Sequence, residues 1–135
     1  VSAPEADLRV ALEAALRADP AIQAVLGDPV RLSDTRDTRA VYPNASWGRG
    51  ETVEGGADGV TLLEHRLTLE IWCRDADPSP IVGAIRTALT DLDIDLPEPW
   101  TLLFLLPAYC DVFTTRDRRV RRGLVRLKAV MGRSA

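Results

Sequence analysis

Residues 61–73, TLLEHRLTLEIWC, and residues 120–131, VRRGLVRLKAVM, decide the fold of this chain. In the first, Leu63, Leu67, Leu69, Ile71 and Cys73 share one parity, while Glu64, Arg66, Thr68 and Glu70 share the other. In the second, Val125, Leu127, Ala129 and Met131 alternate with Arg122, Arg126 and Lys128. Successive side chains of a strand point to opposite faces, so each segment reads as a long strand with one buried and one wet face. The wet faces carry both signs of charge. If the two strands are neighbours, Glu64 and Glu70 can pair across the sheet with Arg122, Arg126 and Lys128.

Working outward, Leu8, Leu12, Ala15 and Leu16 recur at helical spacing and predict an amphipathic helix over 7–18. Asp19-Pro20 supplies an N-cap and a first-turn proline for a second short helix, which Gly27 ends after Leu26. Val30–Leu32 reads as a short strand and Ser33–Arg39 as a polar turn. Arg39–Trp47 reads as a weak strand that Pro43 confines to an edge. Residues 48–59 are glycine-rich and acidic and read as a mobile loop. Ser79 and Pro80 open a third helix with Ile81, Ala84, Ile85, Ala88, Leu89 and Leu92 on its buried stripe. Leu102–Leu106 is apolar on both parities, as in a central strand covered twice or a strand covered by a partner chain. A charged turn over Thr114–Arg119 leads back into the last strand. This order predicts one α+β domain over 1–135, an antiparallel or mixed sheet of about four strands with two to three helices on one face.

At 46% hydrophobic and 27% charged, the 135 residues exclude wholesale disorder. A net charge of -3 excludes a chain-wide polyanion binder, so any nucleic-acid contact has to be local. Cys73 and Cys110 lack a CxxC pattern and read as reduced thiols. No stretch approaches the ~18 apolar residues that a bilayer requires. The start, Val1 to Pro4, lacks the pattern of a secretory signal, so folding in the cytoplasm and no membrane partner are expected.

Little in the chain reads as chemistry, and no catalytic residue, cofactor or metal is expected. His65, the sole histidine, falls on the apolar parity as a core or boundary residue. Asp91, Asp93 and Asp95 alternate with Leu92, Ile94 and Leu96, more as a solvated edge than a cation site. Glu51, Glu54 and Asp58 would repel a phosphate from the glycine segment. A hydrolase built on His65 with Cys73 or a carboxylate is the weakest alternative. Arg116, Arg118, Arg119, Arg121 and Arg122 form a basic cluster that could neutralise phosphates in a small DNA-binding module. Asp111 and Asp117 dilute it, and no aromatic ladder accompanies it, so a solvated hairpin tip or a subunit salt-bridge surface is favoured. Trp72 falls on the charged parity and Trp47 precedes the glycine segment, so both read as exposed anchors or sheet-edge packing. The expected contact surface is therefore Trp47, Glu64, Arg66, Glu70, Trp72, Arg119, Arg121, Arg122 and Arg126.

Three stretches carry a resemblance that spans nearly the whole chain. They are 8–30, LRVALEAALRADPAIQAVLGDPV, then 67–74, LTLEIWCR, and 121–130, RRGLVRLKAV. Together they resemble the tail terminators, or tail-completion proteins, of long-tailed bacteriophages and phage-derived gene transfer agents. Family members carry a Pro-Tyr step where this chain has Tyr42-Pro43, and residues 48–59 match poorly. The resemblance implies a structural virion protein without enzymatic activity, placed at the tail-head junction. It further implies a six-membered homo-oligomeric ring that ends the tail tube and meets the tail tube protein and the head stopper or connector. On the same resemblance, DNA is expected to leave through that ring without specific binding. A head-side stopper or adaptor of the same connector is the related alternative.

Overall fold

The two alternating segments pair with each other along their full length. The computed structural model describes residues 3–36, 41–57 and 59–134. They form α1 (Pro4–Ala18), α2 (Pro20–Leu26), β1 (Leu32–Ser33), β2 (Asn44–Ala57), β3 (Val60–Arg74), α3 (Ser79–Leu89), β4 (Thr101–Thr114) and β5 (Val120–Ser134). The sheet order is β1-β2-β3-β5-β4. β1 lies parallel to β2 and every other pairing is antiparallel, so the domain is α+β with a mixed sheet of five strands.

Leu67, Leu69, Ile71 and Cys73 of β3 and Val125, Leu127, Ala129 and Met131 of β5 are buried on one face. Leu8, Leu12 and Leu16 of α1, Ile22 and Leu26 of α2, and Ile81, Val82, Ile85 and Leu89 of α3 close the same core. All three helices therefore spend their apolar stripes on one side of the sheet, which leaves the opposite side without a helix among the described residues. Gly123 sets how near α3 comes: a Cβ there would stand 2.6 Å from Val82 Cγ2.

The helix ends follow local chemistry. The Asp19 carboxylate accepts the Ala21 N–H at 2.8 Å, and Gly27 ends α2 at φ 88. At α3 the N-cap is Pro78 rather than the expected Ser79, and the side chain that serves the helix start is that of Asp77. Its carboxylate accepts both the N–H of Ser79 at 2.9 Å and its hydroxyl at 2.8 Å, so Ser79 becomes the first helical residue. Arg17 donates to the carbonyls of Val30 and Leu32 at 3.0 and 2.9 Å, fastening β1 beneath α1.

Two expectations need correction. The segment expected as a loop over 48–59 is strand as far as Ala57, and residues 50–57 pair one for one with β3. A continuous ladder on β3 satisfies the backbone there, so pairing overrides the low strand propensity of Gly50, Gly55 and Gly56. The irregularity falls instead between Trp47 and Gly50, where the register shifts. The expected strand over 39–47 begins only at Asn44, after Pro43, and its residues 39 and 40 lie outside the described residues. For Leu102–Leu106, read as a central strand or as one covered by a partner chain, the central place is excluded: β4 is a terminal strand of the sheet. Leu102 and Leu105 pack against the core, but Leu103, Phe104 and Leu106 are 58%, 45% and 43% exposed.

Candidate interface on the open sheet face

The helix-free face is built from the even positions of β3 and β5. Register places Arg66 opposite Lys128, Thr68 opposite Arg126, Glu70 opposite Leu124 and Trp72 opposite Arg122. Charges therefore meet diagonally. Glu64 lies 3.0 Å from Lys128 Nζ and 2.6 Å from Arg66 Nη2, and Arg122 pairs with Glu70. Arg66 also comes within 3.9 Å of Glu51 on β2. The hydrogen bond from Lys128 holds the Glu64 carboxyl below the ordinary range. The expected cross-strand pairing is thus present for Glu64 and Glu70 with Lys128 and Arg122. Arg126 differs: opposite a threonine, its guanidinium lies 5.0 Å from the Tyr109 ring centroid instead.

Of the two readings offered for the tryptophans, exposed anchor or sheet-edge packing, the first fails for both. Trp72 does point to the charged face, yet it is only 6% exposed. Arg36 and Arg122 lie 3.7 and 4.8 Å from its centroid and take the place of solvent. Its indole N–H donates to Ser46 Oγ at 3.4 Å. Trp47 pairs with Leu69, so it turns into the core and is 5% exposed. Its N–H donates to Glu13 of α1 at 2.6 Å.

The basic cluster is also divided. Arg119 pairs with Asp75 at 2.9 Å, Arg121 approaches Asp77 at 3.9 Å, and Arg122 belongs to Glu70. The Arg119 hydrogen bond lowers the Asp75 pKa, and the same bond raises that of Arg119. Register with Cys73 places Arg121 on the helix side, away from Arg122. Of the residues expected at the contact, Glu64, Arg66, Glu70, Trp72, Arg122 and Arg126 share the open face. Trp47 and Arg121 lie on the other side, and Arg119 lies in the turn before β5.

His65 is buried against β2. Its Nδ1 lies 2.9 Å from Thr52 Oγ1 and 3.1 Å from the Glu51 carbonyl, and Thr52 in turn donates to Glu5 at 3.2 Å. Burial holds its pKa below the ordinary 6.5. Cys73 lies eight residues further along the same strand, roughly 27 Å away at about 3.4 Å per residue, which excludes a Cys–His pair. Burial also pushes the Cys73 thiol up, away from the reactive thiolate. Among the described residues, no group of three or more His, Cys, Asp or Glu side chains is placed to hold a metal.

What the sequence reading missed is how far the outer side of β4 reaches beyond Leu102–Leu106, to Tyr109 and Phe113. Phe104, Leu106, Tyr109 and Phe113 pair with Val130, Lys128, Arg126 and Arg122, so they extend the charged face with exposed apolar surface. Register shifts between Leu102 and Phe104, and again between Pro107 and Tyr109, break the alternation that would have revealed them.

The profile of the family described as "Tail completion protein gp17" matches residues 10–132. In fold, the chain is similar to a chain of the solved structure described as "Virion of native gene transfer agent (GTA) particle", with a TM-score of 0.82 at 18% identity. That likeness covers 98% of this chain and 99% of the other. No curated protein matches the sequence. With nearly the whole alternating framework inside the matched span, the chain belongs to the tail completion protein gp17 family, a structural tail component of phage-like particles.

Proposed function

We propose that the protein forms a ring, of six copies, that ends the tail tube and joins it to the head connector around a channel for DNA. The observation that carries this reading is β4. It is a terminal strand of 14 residues whose outer side exposes Leu103, Phe104, Leu106, Tyr109 and Phe113. A long apolar edge left in water invites uncontrolled pairing, and covering it with another chain removes that hazard. These exposed side chains of β4 continue the open β3–β5 face of Glu64, Arg66, Glu70, Trp72, Arg122 and Arg126, whereas the unpaired backbone edge of β4 points sideways and is a second and different surface. A chain with two unlike contact surfaces associates head to tail, and closure of that arrangement gives a ring.

In this reading the protein acts as a structural part without enzymatic activity, and its partners are further copies, the tail tube protein and the head stopper or connector. The net charge of -3 suits a conduit, because a strongly basic lining would retain DNA. The division of Arg119, Arg121 and Arg122 among three carboxylates supports passage over specific binding. Imaging purified protein mixed with polymerised tube subunits tests the reading. Rings seated at tube ends are expected. Tubes that remain bare and keep growing overturn it, and rings that bind only the head connector transfer the protein to the stopper position.

A further inference from the structure

At the turn end of the β4–β5 hairpin lies a cavity of about 580 Å³ whose walls include Arg36, Arg74, Arg116, Arg122, Trp72 and Phe113. Three of the four guanidiniums lie on aromatic rings. Arg36 and Arg122 flank Trp72, Arg122 also lies 5.3 Å from the Phe113 centroid, and Arg74 lies 4.7 Å from that of Tyr42. Of these four arginines only Arg122 has a carboxylate partner among the described residues. Asp117, the acid in the wall, accepts the backbone N–H of Arg119 at 3.0 Å. Arg122 Nε is buried with no hydrogen-bond partner, and burial together with Arg36 lowers the Arg122 pKa. Cations gathered in one cavity, three of the four without a carboxylate partner among the described residues, call for anionic groups.

The chain itself holds a segment of that chemistry. After α3, the N–H of Thr90 bonds to the Arg86 carbonyl, and Asp91 turns the chain at φ 57. From there the exposed Asp91, Asp93 and Asp95 alternate with the half-buried Leu92, Ile94 and Leu96. None of the three aspartates has an ion-pair partner among the described residues. This ribbon lies beside Leu102–Pro107 of β4, whereas the cavity begins at Phe113. Six residues of strand, roughly 20 Å, separate Pro107 from Phe113, so one copy cannot fill its own cavity.

We propose that the arginine–aromatic cavity receives the Asp91–Asp95 ribbon of a second copy of this chain, with its carboxylates set against Arg36, Arg74 and Arg116. The ring reading above supplies the head-to-tail geometry, and this contact rests on it. A phosphate backbone offers the same charge, but the ribbon has charge of matching number, and Leu92, Ile94 and Leu96, packed against their own core, hold its carboxylates outward. The contact also explains why the acids between α3 and β4 stay unpaired within one copy.

Two double variants of the full chain test it: Arg74→Glu with Arg116→Glu, and Asp93→Arg with Asp95→Arg. Self-association is measured by analytical ultracentrifugation, and circular dichroism verifies the fold. Each variant alone is expected to lose affinity about a hundredfold, roughly tenfold for each reversed pair. An equimolar mixture is expected to regain it, because each reversed ribbon meets a reversed cavity and each native ribbon a native one. Association that ignores either change, or a mixture that restores nothing, overturns the contact. So does wild-type protein that stays monomeric at millimolar concentration. Should charge reversal unfold the chain, Arg74→Gln with Arg116→Gln repeats the test by charge removal. Duplex-DNA binding lost only in the arginine variant overturns the contact in favour of a phosphate ligand. Tube-end capping by the wild type keeps the two readings apart: capping without this self-association rejects the cavity contact alone, and failure to cap rejects the ring.

Discussion

The β3–β5 pair and the β4 edge lie side by side in one sheet, yet they satisfy their side chains in opposite ways. Between β3 and β5, most charges on the open face close on a neighbour: Glu64 with Lys128 and Arg66, and Glu70 with Arg122. Along β4, apolar side chains reach water and the strand has no further strand beyond it. The first region is complete within one chain, while the second is finished only by something else. Regular alternation accompanies self-sufficiency here, and broken alternation accompanies surface left for a partner.

The sharpest way to break this contrast is to remove core support from beneath the complete region. Leu69 is fully buried at the centre of β3. Leu69→Ala is expected to cost about 2–5 kcal/mol, read from urea denaturation, through lost burial and the cavity left behind. Gly123→Ala comes next. The added methyl meets Val82 of α3 and is expected to cost about 1–3 kcal/mol by the same measurement. A stability within error of wild type would show that α3 shifts freely and does not depend on that close approach.

A smaller effect comes from His65. Its folded pKa lies below 6.5 chiefly because burial penalises the charged imidazolium. The unfolded chain therefore binds the proton more readily, so the stability from this site is complete above 6.5 and is lost as pH falls. His65→Gln is expected to flatten that part of the stability profile, measured by denaturation between neutral and mildly acidic pH. A profile of unchanged slope assigns the pH dependence to other groups.

The smallest stability effects belong to the incomplete region, and there the contrast is sharpened. Phe104→Ser with Leu106→Ser is expected to leave folding within about 1 kcal/mol of wild type, since both side chains are largely exposed already. The same change is expected to remove tube-end binding in the imaging assay. Arg126→Ala is expected to change stability by no more than about 0.5 kcal/mol, because Arg126 stacks on Tyr109 and has no carboxylate partner among the described residues. A larger loss in either case means that β4 or Arg126 supports the fold, and the contact surface lies elsewhere.

Much of this organisation is legible in the sequence, and where it is not the reasons are specific. The parity of residues 61–73 and 120–131 identifies both faces of the central pair, and the parity of the charges anticipates the diagonal ion pairs. Asp19-Pro20 and Gly27 mark the break between α1 and α2, because capping and left-handed termination are local events. Residues 48–57 mislead because glycine reports the freedom of an isolated backbone, whereas the ladder offered by β3 decides their conformation. Trp72 misleads in another way. Its parity is correct, but its burial depends on Arg36, 36 residues away along the chain, and on Arg122 across the strand pair.

By itself, then, the sequence determined the α+β class, the helix breaks, and the buried and charged faces of β3 and β5. All of these follow from short periods and nearest-neighbour chemistry. Only the tertiary structure decided that Leu102–Leu106 lies in a terminal strand, that Trp47 faces inward, and that Arg36, Arg74, Arg116 and Arg122 gather around one cavity. Those outcomes depend on strand order, on register shifts and on contacts between distant residues. No local pattern encodes them, because each is fixed by which surfaces remain after the core has closed.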